Sequence, residues 1–130
     1  MESQQTMKSS NKNSVPTEHA EQVSLIQWFD KAYPELRIFS IPNGGKRGKL
    51  EAMRLQMEGV RPGVPDLMLP EPRGGFHGLF VEMKRTKGGS VSAEQKDWMA
   101  YLLGKGYQVK ICKGYVEARK EIECYLSTTT

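Results

Sequence analysis

Two short apolar runs separated by a turn-rich loop constrain this chain more than any other feature. The first reads Pro62-Gly63-Val64-Pro65-Asp66-Leu67-Met68-Leu69, the second Gly78-Leu79-Phe80-Val81-Glu82-Met83-Lys84-Arg85. Between them stands Pro70-Glu71-Pro72-Arg73-Gly74-Gly75, a cluster that breaks regular structure. Side chains alternate along a strand, so Glu82 and Lys84 share one face while Val81 and Met83 share the other. Paired as neighbouring strands, the two runs bring Asp66 beside Glu82. Carboxylates that close repel each other and need a cation. An all-oxygen set suits Mg²⁺ or Mn²⁺, ions that keep several waters and also bind phosphate oxygens. A lysine one pleat further on offsets charge on an attacked phosphate or orients the attacking water. The same residues have a plainer reading, because Pro-Asp is a common turn dipeptide and Glu-x-Lys usually a weak ion pair on a solvated face. Context favours the first. Glu82 follows Leu79-Phe80-Val81 in an otherwise apolar strand, where a carboxylate is costly unless paired or liganded.

A chain of 130 residues makes one domain with a single modest core. No apolar run approaches membrane-spanning length. Residues 1–16 are polar, rich in Ser, Asn, Gln and Lys, and read as a disordered tail with no signal-peptide core. The domain proper is expected over 17–126, with 127–130 frayed. Cys112 and Cys124 match no metal spacing and read as two buried, reduced thiols, which points to a cytoplasmic setting. The net charge of +4 is compatible with nucleic acid without requiring it.

The local signals alternate between helix and strand. Thr17 is a plausible N-cap, and Gln22, Leu25, Ile26, Phe29 and Tyr33 form a stripe at helical spacing that Pro34 ends. Leu36 to Ile41 alternates like a strand and is broken by Pro42-Asn43-Gly44-Gly45. Lys46 to Gly59 reads as a second helix with Gly59 as its stop. After the two central strands, Ser92-Ala93-Glu94-Gln95 resembles a capping box for a helix running to about Lys105. Tyr107 to Ile111 is a last strand and Tyr115 to Leu126 a last helix. The order α-β-α-β-β-α-β-α predicts an α/β sandwich with a mixed central β-sheet, its strand-helix-strand portion a right-handed parallel crossover.

Pro65-Asp66, then Glu82-x-Lys84 on the next strand, then a helix opening Ser-x-Glu-Gln, resembles the PD-(D/E)XK nuclease superfamily with its restriction-endonuclease-like fold. Within it the chain most resembles the VRR-NUC group in its small stand-alone, phage-type form. Ile41-Pro42-Asn43-Gly44-Gly45-Lys46-Arg47 adds to the likeness, which spans about residues 18–125. A lone PD…ExK is weak; four ordered segments on the expected elements are specific. The resemblance implies a Mg²⁺- or Mn²⁺-dependent phosphodiesterase. Asp66 and Glu82 would hold the ion with the Met83 backbone carbonyl, and Lys84 would stand beside the attacking water.

The resemblance also implies a glutamate from the first helix. At about 100° per residue, Glu18 falls near the centre of the apolar stripe and Glu21 roughly a quarter turn away. Glu18 is therefore the favoured ligand and Glu21 the alternative, with a simple first-turn carboxylate as the plainer reading of either. Gln95 has two roles on offer, the helix cap and a contact with substrate or a ligand water. Lys46, Arg47 and Lys49 follow a Gly-Gly turn able to cradle phosphates. With Asn43, Arg85 and Lys87 they are the expected DNA contacts. His19 and His77 show no ligation pattern, and Trp28 and Trp98 sit at core-like positions.

The expected function is thus a metal-dependent, structure-selective DNA endonuclease. By analogy with stand-alone relatives it would resolve four-way (Holliday) junctions as a homodimer, with Met57, Val60 and the apolar side of the second helix offering a twofold contact. No organic cofactor and no membrane is expected, and a phage-encoded protein would work in the bacterial host cytoplasm. A flap, end-processing or nicking nuclease is the alternative enzyme. A branched-DNA-binding module without catalysis is the alternative of another class.

Overall fold

The computed structural model describes residues 14–43 and 48–129. Most of the expected tail, and Lys46 and Arg47, lie outside the described residues. The elements come in the expected order: α1 (Glu18–Ala32), β1 (Phe39–Ser40), α2 (Lys49–Met57), β2 (Leu67–Leu69), β3 (Leu79–Lys84), α3 (Ala93–Gly104), β4 (Gln108–Lys113) and α4 (Gly114–Ser127). The sheet order is β1-β2-β3-β4. The first two pairings are antiparallel and the third, across the α3 crossover, is parallel.

Alternation along β3 builds the core. Leu79, Val81 and Met83 turn to one face and pack with Leu25 and Phe29 of α1, and with Ala118, Ile122 and Tyr125 of α4. Phe80 turns to the other face and packs with Leu102 of α3 and Val109 of β4. Fully burying an apolar side chain of this size is worth about 1.5–3 kcal/mol. A one-residue slip would carry Glu82 and Lys84 into the α1/α4 core, so the register is strongly set.

Local signals fixed most element ends. Thr17 accepts from the Ala20 N–H and opens α1. Ser92 and Gln95 form a reciprocal capping box on α3. Gly59, at φ +106°, follows the end of α2 in a conformation that favours glycine.

Some expectations need correction. The first strand is two residues long, against the six expected from Leu36 to Ile41. Leu36 and Ile38 pack on the core without joining the ladder. The second helix begins at Lys49, with Gly48 as its N-cap. Cys112 is buried, but Cys124 is exposed, and both are free thiols. Burial, with Glu121 and Glu117 nearby, pushes the Cys112 thiol up to about 12, which makes it unreactive. Among the described residues no helix is long and apolar enough to cross a membrane.

Candidate active site

The antiparallel register pairs Leu67 with Val81, so the residue entering β2, Asp66, lies next to the residues leaving β3. Asp66 Oδ2 accepts a 2.7 Å hydrogen bond from the Met83 N–H. The Asp66 carbonyl accepts at 2.8 Å from the Ile41 N–H. Asp66 is thereby held from both sides, and Asn43, two residues past Ile41, lies exposed near the same edge.

Glu82 and Lys84 are both buried, at 4% and 8% exposure, on the α3 side of the sheet. Gln95, in the first turn of α3, ties them together. Its Nε2 donates to Glu82 Oε2 at 2.8 Å, and its Oε1 accepts from Lys84 Nζ at 3.0 Å. The same Oε1 accepts from the Ser92 N–H at 2.9 Å, completing the capping box. The capping role read for Gln95 is filled, and the same amide bridges Glu82 and Lys84. Lys84 Nζ also lies 3.6 Å from Glu82 Oε2.

Burial is the main cause of the site's electrostatics. It pushes the Glu82 carboxyl up to about 7, with Asp66 and Glu18 raising it further against the opposing pull of Lys84. The Asp66 carboxyl is raised as well, by burial first and then by Glu18, while the Met83 N–H and Lys84 oppose the shift. Burial, reinforced by neighbouring carboxylates, disfavours the charged form of both groups, a condition that a cation relieves. Among the described residues no three His, Cys, Asp or Glu side chains gather closely enough to hold an ion by themselves. The carboxylate oxygens that could serve one here are those of Asp66 and Glu82, with water completing the shell. That is the all-oxygen, partly hydrated set that suits Mg²⁺ or Mn²⁺.

The two glutamates of α1 part company. Glu18 is exposed, and its charge acts on both Asp66 and Glu82. Glu21 is buried and belongs to a different joint: its Oε1 accepts at 2.7 Å from the Tyr115 N–H in the first turn of α4. Carboxylates are favoured there by the helix dipole. Gly114, at φ +90°, lets the chain pass, since a Cβ would come within 2.5 Å of Thr86 and 3.4 Å of the Glu21 carboxylate. Nothing in the local pattern marks this joint, because it brings together residues distant in the chain.

Those of the expected cations that lie among the described residues are on the surface. Lys49 is exposed at the start of α2, and Arg85 and Lys87 are exposed on the loop after β3. Trp28 packs against the α1/α4 core with Arg119 5.0 Å over its ring, and Trp98 packs against the α3 core. His19 and His77 are exposed, His77 meeting Tyr107 edge-on at 5.6 Å.

The family model of the VRR-NUC domain matches residues 16–115. The chain belongs to the VRR-NUC domain family. It is 29% identical over 93 residues to a Fanconi-associated nuclease 1 homolog of Oryza sativa subsp. japonica. The match takes in 68% of this chain but only 10% of that relative's length. A solved structure described as a VRR_NUC domain protein superimposes with a TM-score of 0.77 at 26% identity, covering 88% of this chain and 91% of the other. Asp66, at the entry to β2, and Glu82 and Lys84, on β3, thus lie within a fold shared with that protein.

Proposed function

We propose that this VRR-NUC chain is a divalent-metal-dependent, structure-selective DNA endonuclease that resolves four-way junctions as a homodimer. The observation that carries the reading is the Asp66–Glu82–Lys84 group at one end of the sheet, two carboxyls with raised pKa and an ammonium, with Gln95 bridging Glu82 and Lys84. A bound Mg²⁺ or Mn²⁺ would supply a Lewis acid and lower the pKa of a coordinated water. Asp66 and Glu82 would hold it, with the Met83 carbonyl, and Glu18 would add negative charge at the open side. Lys84, its Nζ oriented by Gln95, offsets the negative charge that grows on the attacked phosphate. Gln95 also keeps one Glu82 oxygen occupied, which orients the carboxylate.

Contacts to DNA are assigned to Asn43, Lys46, Arg47, Lys49, Arg85 and Lys87. Such residues meet the sugar-phosphate backbone, so selectivity comes from the shape of the DNA rather than its base sequence. The homodimer draws support from α2. It buries none of its residues, and Leu50, Met53 and Met57 are 78%, 56% and 85% exposed along one helical side. An isologous contact through that side would set two sites across a twofold axis, matching a junction's paired strands.

The test is cleavage of a labelled four-way junction, a flap, a duplex and a single strand in Mg²⁺ and Mn²⁺, comparing wild type with Asp66→Ala. Solution mass is measured alongside. Paired symmetric incisions on the junction by a dimer, lost in Asp66→Ala, are expected. Cutting confined to flaps or ends retains the site and rejects the junction. Binding to branched DNA without metal-dependent cutting makes the protein a binding module.

A further inference from the structure

The parallel pairing of β3 with β4 puts Lys113 directly across from Lys84. Residues paired in this way point to the same face of a sheet. The rest of β4 agrees: Val109 packs on the α3 side, and Cys112 packs in the α1/α4 core. Lys110 also turns toward α4, where its Nζ lies 3.8 Å from Glu121. Lys113 therefore shares the α3-side face with Glu82 and Lys84. No sequence motif marks it; the parallel register alone brings it to the site.

The two lysines differ in freedom. Lys84 is buried and engaged by Gln95 and Glu82. Lys113 is exposed, and its ammonium makes no ion pair among the described residues. Its backbone is nonetheless fixed, since its N–H donates to Glu117 and the following Gly114 is wedged between Thr86 and Glu21. Like charges directly across a strand pair disfavour folding. Here one is held at the reacting centre and the other is left free beside it, an arrangement that an incoming polyanion stabilises.

We propose that Lys113 binds the DNA phosphate adjacent to the scissile one, making it a substrate-binding residue separate from the metal-binding and reacting groups. The inference rests on the nuclease reading above. With it, the path of the cleaved strand runs across one end of the sheet, from the start of β2, past the end of β3, to the end of β4.

The test compares Lys113→Ala with Lys110→Ala, which removes the same charge three positions away on the opposite face. Binding of a labelled four-way junction is followed in EDTA from about 50 to 200 mM salt, and kcat and KM are measured in Mg²⁺. Lys113→Ala is expected to weaken binding about three- to tenfold and to lower the slope of log K against log salt by about 1. Its kcat stays within about twofold, as expected for loss of uniform binding. Lys113→Arg is expected to restore both, and Lys110→Ala to leave them unchanged. A Lys113→Ala slope and affinity equal to those of Lys110→Ala overturns the proposal, as does a loss confined to kcat. A wild type that neither binds the junction nor cuts any DNA removes the nuclease reading itself, a failure distinct from these.

Discussion

Gln95 Nε2 donates a 2.8 Å hydrogen bond to Glu82 Oε2. The bond makes the cap of α3 a part of the candidate site, because the other end of the same amide holds Lys84 and the Ser92 N–H. Helix initiation and site geometry therefore share one side chain. In Gln95→Ala, loss of the cap is expected to cost about 1 kcal/mol, and cleavage should fall through the freed Lys84. Gln95→Glu keeps a capping-box residue but sets a third carboxyl against Glu82. Urea unfolding and cleavage rates measured together separate the two effects, with Gln95→Glu expected to retain more stability at neutral pH than activity.

The Glu82 carboxyl, ordinarily near 4.5, is raised to about 7. The folded state then binds the proton more tightly than the unfolded state does. Stability from this group is complete below about pH 4.5 and is lost as pH rises through about 7. The loss is about 3 kcal/mol for such a shift, and Asp66 acts in the same direction. Metal-free wild type should accordingly become less stable between these limits. Glu82→Gln should flatten the profile. A wild-type curve that rises with pH over this window, and is unaltered by the substitution, would contradict the assigned burial effect.

Divalent ions should stabilise the protein independently of any DNA. At a concentration about 100-fold above Kd, a ligand confined to the folded state adds about 2.7 kcal/mol. Mg²⁺ or Mn²⁺ titrated into wild type should raise its melting temperature, and EDTA should reverse the rise. Asp66→Asn and Glu82→Gln should show little of either. Lys84→Ala should keep the thermal response yet lose about 100-fold or more in cleavage, which divides holding the ion from using it.

The two glutamates of α1 should behave oppositely. Glu21→Ala strands the partly buried Tyr115 N–H and should cost about 1–3 kcal/mol in stability. Glu18→Gln changes an exposed side chain and should shift stability by less than about 0.5 kcal/mol, while lowering metal affinity and cleavage. Equal stability losses in the two variants would refute this division.

How much of this was legible in the residues follows the range of the interactions. Thr17 and the Ser92–Gln95 box act over three positions, and the alternation of β3 acts over two, so each is written locally. The Asp66 and Glu82-x-Lys84 runs share this property, since each needs only its own strand and one turn. The choice between Glu18 and Glu21 does not. A helical stripe averaged over Gln22, Leu25, Ile26 and Phe29 centres between two rows of side chains. The buried row turns out to be Glu21, Leu25 and Phe29, and the partner that distinguishes it, Tyr115, lies 94 positions away. Packing likewise decided that the first strand pairs over only two residues, that Cys124 faces outward and that α2 stands bare. The sequence by itself determined the order of elements and the chemical groups of the site, because these rest on propensity, capping and alternation among near neighbours. Only the tertiary structure decided which glutamate is buried and which lysine stands beside Lys84, because those depend on strand register and on helix packing between distant segments.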